Sequence, residues 1–352
     1  MFVRHITTTA TLCRPAISVI GTRSPSILLP HARLLSTAAA APSRTALIKE
    51  LRARTSAPMK KCVDALEKAN NDVDEAVTIL RKAGLAAAQK KAGRGASEGA
   101  LAVVSDSKST AAIVEINSET DFVARNEIFQ ELALDVSRAA LGLTPPDASA
   151  KVQLLDVGAI GATPLGEHAS VTEALGVAVS QLGENLVLRR ACALSAPAEG
   201  GVVSTYVHNA YAPNVGRTAA AVVLKSTAAD DEALTSLGQK LAMHVVAAQP
   251  LFLSRGDVDD AALQREKDIL VEQAKGSGKP DNVIEKMVTG RMNKYYGEVC
   301  LLEQSYLIEE GAGSVAKVLD KAGKSMGAPV EIAAFVRYQL GEESGSADAE
   351  AA

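Results

Sequence analysis

EINSETDFVARNEIFQEL, residues Glu115–Leu132, is where the chain passes from strand to helix, and the rest is read outward from that change. The apolar run Ala111–Ile116 just before it has the composition of a short strand. Asn126 stands where a helix N-cap belongs, because its side-chain oxygen can accept from the free amides of a first turn. Ile128, Phe129, Leu132 and Val136 then fall on one helical face. Between strand and helix lies Thr120-Asp121-Phe122-Val123. The chain has five Phe and no Trp, so a Phe beside a carboxylate in such a turn is an unusual use of a scarce residue. Two readings are open. Phe122 and Val123 roll under the helix as a hydrophobic staple, or Phe122 is an exposed apolar wedge with an acidic neighbour, built to enter a partner.

The same grammar recurs downstream. Strand, strand and helix occur as Gly99–Val104, Ala111–Ile116 and Asn126–Leu141, and again as Val202–His208, Thr218–Lys225 and Asp230–Ala248. Each unit alternates at period two and then changes to period 3.6. An insert between them carries a Ser170/Glu173 capping box on a helix Val171–Leu182, then a strand Leu186–Leu194. The fold class is therefore α+β, with two similar lobes, 100–195 and 196–258, each laying helices on a small antiparallel sheet.

On the N-terminal side, 43–84 reads as three short helices. Ser43 caps the first and Ser56 starts the second; Asp72 with Glu75 caps a third, which stops at Gly84. A bundle of this size resembles a ubiquitin-associated domain. Residues 85–99 read as a linker ending in the Gly-rich, partly basic KKAGRGASEG. On the other side, 259–297 reads as an αα-hairpin around Gly276-Ser-Gly-Lys-Pro280. A strand-like Val299–Leu302, a short helix Ser314–Lys321 and a strand Val330–Leu340 return the chain to the second lobe over 298–341. The acidic, small-residue tail 342–352 reads as disordered.

Composition narrows the class. With 352 residues, 47% apolar and 22% charged, the chain reads as a soluble globular protein of two or three domains. No apolar run approaches the roughly 20 residues of a membrane-spanning helix. Cys13, Cys62, Cys192 and Cys300 are far apart and form no CxxC, which fits a reducing compartment. Residues 1–49 contain no acid, and 1–40 is rich in Arg, Ser, Thr and Ala. That is the composition of a mitochondrial transit peptide, with a plastid one the less favoured alternative. Without the four arginines before residue 40 the body carries 33 basic and 41 acidic residues, net −8, a poor match to nucleic acid.

An active site of its own is not legible. After the leader only His168, His208 and His244 remain, none at metal-ligand spacing. Asp121 is a lone carboxylate without a partner acid. Gly278-Lys279 is followed by Pro280 where a phosphate loop needs Ser or Thr. No metal, cofactor or catalytic residue is expected. His244 lies in the helical stripe Leu234, Leu237, Leu241, His244, Ala248, where a lone His is most often a satisfied buried imidazole.

Five blocks together resemble the elongation factor Ts family, the guanine-nucleotide exchange factors of bacterial-type elongation factor Tu. They are LRARTSAPMKK (51–61), EINSETDFVAR (115–125), GENLVLRR (183–190), LAMHVVAAQP (241–250) and GKPDNVIEKMVTGRMNK (278–294), in the family's order. The resemblance runs from about Thr45 to Gly341. It implies a UBA-like bundle docking on the partner's GTPase domain, a two-lobed core, and a protruding antiparallel coiled coil that some members use for self-association. It implies elongation factor Tu of the same organelle as partner, GDP-bound and nucleotide-free, with no nucleic acid or membrane. By position it assigns Thr120, Asp121, Phe122 and Val123 to dislocation of the partner's Mg²⁺, and Arg52, Met59 and His244 to further partner contact. Two departures are visible: Ser56 and Pro58 replace family glycines, and the tip Asn209–Gly216 is longer than the family's. An adaptor built on the N-terminal bundle, or a hydrolase using Asp121 or His244, are the readings from other classes.

Overall fold

The computed structural model describes residues 42–106, 109–144, 152–227, 231–275 and 280–342. The leader 1–40, the hairpin tip 276–279 and the tail from 343 lie outside the described residues.

Three helices open the fold: α1 (Arg44–Thr55), α2 (Met59–Lys68) and α3 (Val73–Lys91). Ser43 accepts from the amide of Ala46, and the carboxylate of Asp72 accepts from the amides of Asp74 and Glu75. Leu51, Cys62, Leu66 and Ala76 form a small core of their own. Two expectations are corrected here. Ser56 does not start α2; it closes α1 in the left-handed region at φ 48°, and α2 begins after Pro58. That conformation favours glycine, which explains the family's preference at this position. Gly84 is not a stop either. α3 continues through it to Lys91, into the stretch read as linker. A Cβ at Gly84 would lie 3.2 Å from the carbonyl oxygen of Gly176, so this glycine allows two helices to approach closely.

The core follows as β1 (Glu98–Asp106), β2 (Thr110–Ser118), α4 (Asp121–Ala124), α5 (Glu127–Gly142), β3 (Val152–Leu154), α6 (Val157–Ala162), α7 (Val171–Leu182), β4 (Leu186–Ser195), β5 (Gly201–Ala212), β6 (Val215–Ser226) and α8 (Asp231–Ala248). Then come α9 (Asp260–Lys275), α10 (Asp281–Val299), α11 (Val315–Met326) and β7 (Val330–Gln339). Mixed helices and antiparallel strands make this an α+β fold.

The two small sheets expected from the repeat are joined into one seven-stranded sheet, in the order β3-β4-β2-β1-β6-β5, with β7 also on β6. The junction is a fork. Val215 and Gly216 of β6 pair with β1, and from Thr218 onward the same edge of β6 pairs with β7. Each half is covered by helices on one face, α5 and α7 over the first and α8 and α11 over the second. The other faces meet. Leu101, Ile113 and Leu194 from the first half share a cluster with Val203, Ala221, Val223 and Tyr338 from the second. The period-two alternation expected over Thr218–Lys225 is corrected here: Ala219–Leu224 is an unbroken apolar run, because both faces of the strand are buried.

The αα-hairpin α9–α10 is held by Leu270, Ile284 and Val288. At its root Arg255 lies 4.4 Å over the ring of Tyr296 and pairs with Glu303. The strand expected over Val299–Leu302 is absent. α10 runs to Val299, and Cys300 makes an isolated bridge to Phe252. Burial pushes the Cys300 thiol up to about 11.

Candidate functional site

β2 delivers the chain to a single helical turn, α4, and the structure separates the two readings of Phe122 and Val123. Val123 is 7% exposed and joins the core cluster of Phe129 and Val136; Phe122 is 79% exposed. Val123 is therefore the staple and Phe122 the wedge. Among the exposed large apolar residues of the described chain, Phe122 stands furthest into solvent.

The turn is braced from two sides. On one, Thr120 gives both donors to Glu184 of the α7–β4 loop: its amide at 2.9 Å and its hydroxyl at 2.7 Å. Glu119 answers by accepting from the amide of Asn185 at 2.7 Å. That amide, helped by nearby Arg94, holds the Glu119 carboxyl below the usual carboxylate range. The Asn185 side chain donates to the Arg94 carbonyl, just beyond α3. On the other side, Asp121 lies 3.7 Å from Arg125, whose guanidinium covers the ring of Tyr211 in the β5–β6 hairpin. The Tyr211 hydroxyl accepts from Arg217, which pairs with Glu98 of β1 at 2.9 Å.

Behind the turn, β2 carries a fully buried carboxylate. Glu115 accepts from Arg190 at 2.7 Å, from the Asn117 side chain at 3.1 Å and from the amide of Gly341 at 3.1 Å. Arg190 is itself 4.0 Å over the ring of Tyr338. Desolvation of the two charges offsets much of their attraction, so the pair is weak evidence of net stability.

Arg52 and Met59 are exposed, on α1 and at the start of α2. The α1–α2 loop at Arg54–Ala57 and the α5 face at Ile128, Leu132 and Asp135 wall a cleft of about 650 Å³. His244 corrects an expectation: assigned to the partner-facing surface, it is fully buried. The amide of Leu307 donates to its Nδ1 at 3.3 Å, which leaves Nε2 to donate to the Gln304 side-chain oxygen at 3.1 Å. Burial pushes its pKa down, against the Gln304 bond. Its neighbours Met243 and Leu307 are the exposed apolar residues there.

Among the described residues no group of three or more His, Cys, Asp or Glu is placed to hold a metal ion, and no helix is long and apolar enough to cross a membrane. The arrangement can present an apolar wedge from a fixed base.

The elongation factor Ts family model matches residues 119–342. Over 297 residues the chain is 48% identical to the elongation factor Ts of Rhodospirillum rubrum, covering 84% of this chain and 92% of that protein. The chain belongs to the elongation factor Ts family. The elongation factors Ts of Brucella anthropi and Rhizobium meliloti are 46% and 45% identical, each again covering 84% of this chain and 92% of the relative. Glu184, Asn185 and Tyr211 have no role legible in the sequence. Glu184 and Asn185 stand inside a family block, which was the available signal; Tyr211 sits in the tip that departs from the family and carried none.

Proposed function

We propose that this chain is the guanine-nucleotide exchange factor of an organellar elongation factor Tu. It binds the GDP form, promotes GDP release by disturbing the partner's Mg²⁺ site, and so allows GTP to load during organellar protein synthesis. The observation that carries the reading is Phe122, 79% exposed on a braced turn inside a family-matched chain. A single exposed apolar residue is ordinary by itself; the braced turn and the family match together support a partner-covered role for this one.

A factor that prefers the nucleotide-free GTPase weakens nucleotide binding by the same ratio, since the linkage is reciprocal. In this reading Phe122 enters the GTPase domain beside its Mg²⁺, while Thr120, Asp121 and Val123 fix the turn. Loss of the ion leaves the phosphates uncompensated. Burying one Phe is worth about 1.5–3 kcal/mol, roughly ten- to a hundred-fold, too little to expel a tightly held nucleotide alone. Arg52 and Met59 supply further contact, and at the His244 position Met243 and Leu307 are the groups able to touch a partner. The exposed Ile269 and Val283 give the hairpin a surface for self-association. The acid-free, arginine-bearing leader supports a mitochondrial matrix location.

The test is release of a fluorescent GDP analogue from the elongation factor Tu of the same organelle, using chain 41–352 and its Phe122→Ala variant. Fast release by the parent and slow release by a variant of unchanged melting temperature is the expected result. No acceleration by the parent would reduce the chain to a binding module.

A further inference from the structure

We infer that Glu184 is the positioning residue of the exchange site: it holds the Thr120–Phe122 turn at a fixed angle to the N-terminal bundle, so that docking the bundle also aims the wedge. The inference rests on the exchange reading and goes beyond it to a residue 62 positions from Phe122 in sequence.

Helix α4 is one turn long, and a single turn is unstable by itself because nucleation costs more than its few bonds return. Its N-cap, Thr120, makes no side-chain cap bond to its own helix. The hydroxyl is turned to Glu184 instead, and the Thr120 amide goes to the same carboxylate. A bidentate grip on adjacent backbone and side-chain donors fixes direction as well as distance. The reciprocal bond from the Asn185 amide to Glu119 makes the two segments exchange partners, as two strands would.

The same loop and the last turn of α7 before it are tied to the N-terminal helices. Lys61 of α2 donates to the carbonyl and hydroxyl of Ser180, and Lys91 of α3 donates to the carbonyl of Gly183, the residue before Glu184. Arg94 reaches Glu119 at 3.4 Å. Glu184 thus takes both Thr120 donors from the loop that anchors the bundle, and with Glu119 it joins that loop to the turn carrying Phe122. It has no need to touch the partner.

The experiment measures GDP release against factor concentration, separating the maximal rate from the half-saturating concentration, with parent, Glu184→Ala, Glu184→Gln and Thr120→Val. Losing two hydrogen bonds to a charged acceptor is expected to lower the maximal rate of Glu184→Ala about tenfold. Its half-saturating concentration should shift less than about threefold, because the outlying contacts remain. Hydrogen exchange in the peptide spanning 117–125 should quicken by a similar factor in Glu184→Ala. Glu184→Gln, which keeps an acceptor for the Thr120 amide, should recover most of the rate, and Thr120→Val should fall between. An unchanged maximal rate in Glu184→Ala, or a loss confined to the half-saturating concentration, overturns the inference. If Glu184→Ala does not fold, the order parent, Glu184→Gln, Thr120→Val still decides it: equal rates in all three overturn it. A parent that accelerates nothing defeats the exchange reading, and unchanged exchange of 117–125 then defeats this one separately.

Discussion

The guanidinium of Arg125 lies 4.9 Å over the ring of Tyr211, and through this contact the β5–β6 hairpin rests against the turn that carries Phe122. Tyr211, in the tip that departs from the family, therefore braces this turn. A cation–π contact at a half-exposed site is worth about 0.5–1 kcal/mol, and the ring's packing adds to it. Tyr211→Ala is expected to slow GDP release several-fold, while Tyr211→Phe, which loses only the bond from Arg217, stays within about twofold. Equal rates for Tyr211→Ala and parent would remove the brace from the account.

Gly84 and Gly176 make the crossing of α3 and α7, and their substitutions should separate two opposing effects. A helix-interior Gly→Ala gains about 1 kcal/mol of propensity. Here the new methyl meets backbone of Gly176 and Val177 at 3.2–3.3 Å, which takes that gain back. Gly84→Ala is expected within about 1 kcal/mol of parent in urea denaturation. Gly84→Leu has no such balance and should cost about 1–3 kcal/mol, with faster proteolysis of residues 43–92.

Removing Arg190 would take from the buried Glu115 carboxylate its nearest cation, leaving Arg189 at 4.0 Å and the Asn117 and Gly341 donors. Arg190→Met should lose up to about 3–5 kcal/mol by denaturant titration, because removing one partner of a buried pair costs more than the pair contributes. The double variant Glu115→Gln/Arg190→Met should recover a good part of that loss. A double variant as unstable as the sum of its singles would show that the two side chains act independently.

Buried His244 makes stability depend on pH in a defined direction. Its folded pKa lies below the ordinary value of 6.5, so the unfolded chain takes up the proton first as pH falls. The contribution is fully present above about 6.5, declines as pH drops below that value, and levels off once the folded value is passed. His168 is pushed down as well, mainly by burial. The comparison is therefore the melting temperature of parent against His244→Gln across that window, where the variant should show the shallower acid decline.

Much of this architecture could be read from the residues, and the exceptions have physical causes. Asn126 and the stripe Phe129, Val136 announced α5 because a cap and a 3.6 period are local signals. Gly84 misled because its local signal, a helix stop, is the same residue that a close helix crossing requires. The fork of β6 was invisible, since strand pairing is decided by partners more than a hundred residues away. His244 shows the limit of reasoning by position. Its apolar stripe pointed to burial, as found, whereas the family assignment placed the same side chain on the surface. Phe122 and Val123 are adjacent and equally apolar; only the path of one helical turn decides which faces water.

The bond from the Gly341 amide to Glu115 joins residues 226 apart in sequence. While the chain is being made, β1, β2 and β4 are all available long before that donor exists. Until it does, the carboxylate beneath the wedge lacks one of its hydrogen bonds, and the strand leading to Phe122 is incompletely tied. Translation therefore supplies this donor 226 residues after Glu115, so a chain interrupted before Gly341 carries Phe122 without its finished support.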